Sequence, residues 1–215
     1  MIAAPGLGNG ATRRVGLLGG SFNPAHDGHR HISLEALRRL GLDEVWWLVS
    51  PQNPLKAANG MAPLAARMAT ARKVARHRRI KVTDIETALG TRYTADTLGA
   101  LQSRFPRLRF LWLMGADNLR QISRWRRWTA IFASVPIAVF DRPAYSLSAL
   151  NSKAALRFAA ARVAPENAAG LIDRAPPAWT FVRCRLHPAS ATEIRKERPA
   201  APARTRRRPT EGTRP

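Results

Sequence analysis

The chain has 215 residues, enough for one well-buried core, and nothing in it calls for a second domain. Its apolar fraction of 45% is ordinary for a globular protein, and its longest apolar run, Ile131 to Phe140, is too short for a bilayer and broken by Pro136, which excludes a membrane span. A formal charge of +22 points by itself to a polyanionic partner, while the solitary Cys184 excludes an internal disulfide and fits a reducing cytoplasm.

Met1 to Arg14 has no apolar core of secretory length and places its arginines after its apolar residues, so it reads as a flexible leader, 1–14, rather than a signal peptide. Val15 to Leu18 is a short apolar strand. It runs into Gly19-Gly20-Ser21-Phe22-Asn23-Pro24-Ala25-His26-Asp27-Gly28-His29, and a helical pattern begins near Arg30. A strand that ends in two glycines, turns through Asn-Pro and feeds a helix directs backbone N–H groups and a helix N-terminus onto an anion. His26 and His29 fall on one side of the first helical turn and can touch the same bound group.

Ile32, Ala36, Leu37 and Leu40 continue at helical spacing to a cap at Gly41. Val45 to Val49 is continuously apolar, as suits a parallel strand covered on both faces. Ser50 to Lys56 forms a loop at its carboxyl end, and Leu64 to Arg79 is predicted helical. Cations from Arg72 to Arg79 go nearly all round the exposed face of that helix. With no zinc, RNP or helix-turn-helix signature beside them, they read as a solvated face rather than a nucleic-acid site.

Ile80 to Ile85 is the third predicted strand, Ala95 to Arg104 a helix, and Leu108 to Met114 the fourth strand, ending in the turn Gly115-Ala116-Asp117-Asn118. A tryptophan-bearing helical stretch follows through Ile131, then a fifth strand, Val135 to Phe140. Asn151 to Ala169 reads as a peripheral helix plus loop, and Trp179 to Cys184 as a last short strand. Such alternation predicts an α/β fold, a Rossmann-like doubly wound parallel sheet with its ligand crevice outside the carboxyl ends of the strands, where every motif falls. The domain is placed at 15–198. Residues 199–215 contain no aliphatic side chain larger than alanine and are expected to form a disordered basic tail; eight Lys or Arg face two Glu from Arg195 to Pro215.

Three further stretches are candidates for chemistry. In Ser190-Ala191-Thr192-Glu193-Ile194-Arg195, Ser190 or Thr192 caps a helix whose N–H groups face a polyphosphate and Arg195 adds a forked donor, or the segment is an ordinary capped helix. Tyr93 to Leu98 reads as a helix start with Thr94 at the N-cap and Asp96 and Thr97 in the first turn. Trp125 and Trp128, interleaved with Arg124, Arg126 and Arg127, lie at a spacing that sets both indoles on one helical face, with at least one in the core.

Together these motifs resemble the bacterial nicotinate mononucleotide adenylyltransferases of the HxGH nucleotidyltransferase superfamily. The string Gly19 to His29 is similar to GGSFNPxHxGH, Tyr93 to Leu98 to (S/T)YTxDTL, Met114 to Leu119 to GxD(N)L, and Ser190 to Arg195 to (I/L)SxTxIR. The resemblance covers Val15 to Arg195. It implies transfer of AMP from ATP to nicotinate mononucleotide, giving deamido-NAD and pyrophosphate in NAD biosynthesis. It implies that His26, His29 and Arg195 are the catalytic donors, and that Gly19, Gly20, Ser21, Phe22, Gly28, Gly115, Asp117, Ser190 and Thr192 line the ATP side. It further places Asn23, Lys56, Thr94 and Trp125 beside the mononucleotide, Trp125 stacking on the pyridine ring and Trp128 serving the core. A phosphate nucleophile needs no activating triad, and magnesium is expected to ride on the ATP phosphates without a protein-held metal site.

Two other functions fit parts of this pattern. One is an adenylyltransferase of the same superfamily acting on nicotinamide mononucleotide or phosphopantetheine, against which the Gly-Gly-Ser-Phe-Asn-Pro form and the Trp125 region argue. The other is a basic nucleic-acid-binding or regulatory protein that keeps the fold without the activity. The sequence does not fix the oligomeric state, and a homo-oligomer is compatible with it. After Glu197 the chain leaves the family's pattern of a further apolar helix for Arg-Pro-Ala sequence, a composition that a shifted reading frame in a GC-rich gene produces.

Overall fold

The computed structural model describes residues 12–51, 60–142 and 145–185. Residues 1–11, Lys56, and the segment from 186 onward with Ser190, Thr192, Arg195 and the basic tail lie outside the described residues. Six strands form one sheet: β1 (Arg13–Gly20), β2 (Glu44–Val49), β3 (Ile80–Thr83), β4 (Leu108–Gly115), β5 (Ile137–Phe140) and β6 (Trp179–Val182). Their spatial order is β3-β2-β1-β4-β5-β6, and every neighbouring pair is parallel. The order reverses at β1 and β4, the switch point of a doubly wound sheet, so the expected architecture is the observed one.

Parallel strands need crossovers, and these supply eight helices among the described residues: α1 (Asp27–Arg39), α2 (Leu64–Ala75), α3 (Ile85–Leu89), α4 (Thr94–Arg104), α5 (Ala116–Gln121), α6 (Trp128–Ser134), α7 (Ser146–Leu150) and α8 (Lys153–Arg157). Short 3₁₀ turns occupy Ile122–Arg124, Ala159–Ala161 and Pro165–Asp173. Two apolar clusters cover the two faces. On one, Leu17, Trp46 and Trp112 pack with Leu98, Leu101, Ile131 and Phe132; on the other, Leu18, Trp47 and Leu113 pack with Ile32, Leu37, Met68 and Leu171. β2 shows why the strand reads as continuously apolar: all six of its residues are buried, with Trp46 and Trp47 pointing to opposite faces as the period of two requires. Buried Glu44, at its start, accepts from Arg13 Nη1 at 2.9 Å and from Trp46 Nε1 at 3.1 Å. That anchor starts β1 at Arg13, two residues before the apolar run.

Several predicted boundaries move, each for a local reason. α2 stops at Ala75 because Arg76 is left-handed (φ 32°), and Arg79 turns back to donate from Nε to the Asp43 carbonyl at 2.7 Å. The cations of 72–79 therefore do not share one helix. β3 ends at Thr83, its last residue paired with β2, and Thr83 Oγ1 then accepts from the Ile85 N–H at 3.1 Å to open α3. β5 begins at Ile137, since Pro136 has no N–H to give, and β6 ends at Val182, where β5 runs out. α4 starts one residue early, with Tyr93 and not Thr94 at the N-cap.

Under α4 lies a buried polar knot. Thr97 Oγ1 sits 3.0 Å from Glu86 Oε1 and 2.9 Å from Thr91 Oγ1. Burial pushes the Glu86 carboxyl above the usual range, partly opposed by the hydroxyls of Thr97 and Ser50. A carboxyl whose folded pKa is raised stabilises the fold fully below its unfolded pKa, and that contribution is lost as pH rises through the folded value. Glu86→Gln is expected to raise Tm by about 2–4 °C at about pH 8 while changing it little at about pH 4, as thermal melts across that interval will read.

Candidate active site

β1 delivers its two glycines to the switch point. Gly19 occupies the only shape that fits there: a Cβ would run into Cη2 of Trp112, a buried ring on the neighbouring strand. Beyond Gly20 the backbone turns sharply at Phe22, a left-handed residue (φ 46°), and through a cis Asn23–Pro24 peptide before α1 begins. Phe22 is buried, stacked on Trp47 with ring centroids 5.1 Å apart, and 4.7 Å from the His29 ring. The strained turn is thus packed from beneath by aromatic rings.

His26 is the N-cap of α1 and His29 its third residue, so they meet as a reciprocal capping pair with ring centroids 3.8 Å apart. The His26 backbone N–H donates to His29 Nδ1 at 3.2 Å. An Nδ1 that accepts carries no proton, which in the neutral imidazole puts the proton on Nε2. Ser33 adds a support from below: it donates to the His29 carbonyl at 2.9 Å and accepts from Trp47 Nε1 at 2.7 Å. His26 is buried and His29 half-buried. Gly28, between them, is buried as well.

The second half of the crevice is built at the end of β4. Gly115 is the N-cap of α5, and a Cβ there would strike Asp117 Oδ1 and approach Arg142 Nε to 3.0 Å. Arg142, just past β5, lies 3.5 Å from Asp117 Oδ1. The helices that leave the carboxyl edge run back antiparallel to the strands, so the first turn of α4 lies at that edge too. Trp125 reaches it from a different direction than the spacing suggests. The chain breaks its helix after Arg124, Trp125 is extended (φ −79°, ψ 143°), and Arg127 is left-handed before α6 starts at Trp128. The two indoles therefore do not share a helical face. The turn docks on α4, with Arg126 over the Tyr93 ring at 4.7 Å and Arg127 Nη1 on Asp96 at 3.1 Å, which brings the segments of Trp125 and Thr94 together. Trp128 packs edge-on against Phe132 and Phe158, part of the core cluster's margin.

Among the predicted residues, Gly19, Gly20, Ser21, Phe22, Asn23, His26, Gly28 and His29 form one continuous turn, Gly115 and Asp117 stand at the next strand end, and Thr94 and Trp125 flank the same edge. Asn23 spends its amide on the chain before α2, donating to the Gly60 carbonyl at 3.1 Å and accepting from the Ala62 N–H at 3.3 Å. Ser33 beneath the turn, Arg142 beside Asp117, and buried Arg67, which donates to the Ser21 carbonyl, are contacts that sequence reasoning did not single out. Only Arg142 carried a signal, its place directly after a strand's carboxyl end. Among the described residues no group of three His, Cys, Asp or Glu side chains forms a metal cage, and no helix is long and apolar enough to cross a membrane.

A doubly wound sheet with a histidine-bearing glycine turn at its switch point has the layout of a nucleotide-handling α/β protein. Residues 17–197 match the cytidylyltransferase-like family. A protein of Cereibacter sphaeroides is 56% identical over 181 residues, covering 84% of this chain and 95% of that protein, and one of Parvibaculum lavamentivorans is 53% identical over 195 residues, covering 91% and 94%. Each bears the name "Probable nicotinate-nucleotide adenylyltransferase". The nicotinic acid mononucleotide adenylyltransferase of Plasmodium falciparum, solved in complex with NaAD, shares the fold at a TM-score of 0.66 and 15% identity, over 86% of this chain and 83% of that one. The chain belongs to the cytidylyltransferase-like family and, within it, to the nicotinate-nucleotide adenylyltransferases.

The contact between Gly19 and Trp112 leaves no slack. Gly19→Ala is expected to cost about 1–3 kcal/mol through forced overlap with a ring fixed in the core, to be read as a lowered denaturation midpoint at unchanged m.

Proposed function

We propose that this protein transfers AMP from ATP to nicotinate mononucleotide, releasing pyrophosphate and forming deamido-NAD. The observation that carries the reading is the His26–His29 pair, fixed as the cap of α1 at the switch point, with the names of relatives more than half identical in support. A phosphate oxygen of the mononucleotide attacks the α-phosphorus of ATP; the new O–P bond forms as the bond to the β-phosphate oxygen breaks, and the electron pair leaves with pyrophosphate. No side chain need be deprotonated to make the nucleophile. The task left to the protein is alignment and stabilisation of charge on the leaving phosphates. His29, with its proton on Nε2, and His26 beside it are donors for that charge, and the N-terminus of α1 adds its oriented N–H groups. In this reading Arg195, Ser190 and Thr192 complete the triphosphate side, Asp117 and Gly115 the adenosine side, and Thr94, Trp125, Asn23 and Lys56 the mononucleotide side. ATP enters as its magnesium complex, the metal held by the phosphates.

A coupled pyrophosphate-release assay with ATP and either nicotinate or nicotinamide mononucleotide tests the proposal. Turnover is expected with ATP and the nicotinate form; none with either mononucleotide overturns it. His26→Ala and His29→Ala are each expected to lower the rate about 100- to 1000-fold with circular dichroism intact, because each removes a donor aimed at developing phosphate charge.

For Trp125→Ala the expected loss falls on KM for the mononucleotide, with KM for ATP nearly unchanged, since stacking supports bound substrate and transition state alike. Steady-state kinetics with each substrate varied in turn reads this, and a variant that loses ATP affinity first would make Trp125 a core residue.

A further inference from the structure

Arg67 is a charged side chain only 3% exposed, on the inner face of α2 between Leu64 and Met68. Its guanidinium reaches four backbone carbonyls. Nη1 donates to Ser21 and to Ser50, both at 2.7 Å; Nη2 donates to Pro51 and Nε to Ala62, both at 2.9 Å. Ser21 is the first residue past β1, Ser50 and Pro51 are the first past β2, and Ala62 leads into α2. None of these partners is a carboxylate, so a buried cation is held by carbonyl dipoles of two connections, β1 to α1 and β2 to α2, an expensive arrangement for mere stability.

The loops it joins are the ones that set the site. Ser21 opens the turn that ends on His26, and Asn23, two residues on, is tied to Gly60 and Ala62 of the strip that Arg67 also holds. The Ser50 N–H donates to the Gly20 carbonyl at 2.9 Å, so the two strand ends are already adjacent and the guanidinium locks their carbonyls from below. Only a planar fork with donors on three nitrogens serves this geometry; an ammonium has one centre.

We propose that Arg67 is a positioning residue for AMP transfer: by clamping the carbonyls of Ser21, Ser50, Pro51 and Ala62 it fixes the turn that presents His26 and His29 to the phosphates. This rests on the reaction proposed above. It acts through backbone, without touching substrate.

The test uses the full chain with Arg67→Lys, Arg67→Met and Arg67→Ala, measuring kinetics with ATP and nicotinate mononucleotide, ATP affinity by equilibrium dialysis, and thermal melts, all well below each variant's transition. Arg67→Lys is expected to lower kcat/KM for ATP about 100-fold, the loss divided between a raised KM and a lowered kcat, because a displacement on the order of 1 Å at the reacting groups costs that much. Guanidinium, far below denaturing concentration, is expected to restore part of the ATP affinity to Arg67→Ala, and methylammonium at equal concentration is not. Unchanged KM values, with activity falling only in step with the folded fraction, would overturn the proposal, as would equal rescue by methylammonium. If the wild type transfers no AMP, the reaction falls, and weaker ATP binding by Arg67→Lys at an unchanged melting temperature still upholds the positioning role.

Discussion

Parallel pairing of β1 on both of its edges is the constraint from which the site follows. A central strand flanked in parallel by β2 and β4 must send its chain out at the carboxyl end, and the crossovers on its two sides leave on opposite faces. The crevice between those departures is walled by helix starts. α1 and α5 begin there directly from β1 and β4, and α4 brings its first turn back to the same edge. Because the sheet is covered on both faces, a ligand meets backbone donors at this edge rather than over the strands. The turn after β1 is therefore a product of topology before it is a product of any histidine.

Packing then turns a favourable place into a defined one. Phe22 in a left-handed conformation is held by Trp47, Trp47 by the Ser33 hydroxyl, and Ser33 by the His29 carbonyl, so the aromatic floor and the start of α1 are one linked unit. The polar side of the same turn is fixed through backbone carbonyls by Arg67. In both cases a residue of the turn is held by one outside it, so loosening the support would act at a distance.

What the sequence made legible is what short-range chemistry decides. Gly19-Gly20 through His29 could be read as a turn because glycine, proline and cap residues act locally, and β2 could be read from its unbroken apolar run. Where tertiary contact decides, the pattern misled. Arg76 to Arg79 continues a helical period but is pulled away to join β3 to β2, and Ile85 looks like strand although the pairing with β2 stops at Thr83. Trp125 and Trp128 have the spacing of one face, yet Arg127 adopts a left-handed conformation so that the intervening arginines can reach Tyr93 and Asp96. Arg67 was invisible because its partners are carbonyls of residues 5 to 46 positions away, which no side-chain motif records.

The contact of Gly19 with Trp112 bears on how such a chain can drift. The space that a side chain at position 19 would need is already filled by an indole from the adjacent strand. A larger residue at 19 overlaps the ring while the tryptophan stands, and a smaller residue at 112 opens a void beneath the turn after β1 while the glycine stands. The two positions are thus a single unit of inheritance. Homologues that replace one are expected to have replaced the other, and any lineage crossing between the two solutions passes through an intermediate that is either overfilled or hollow at the centre of its sheet.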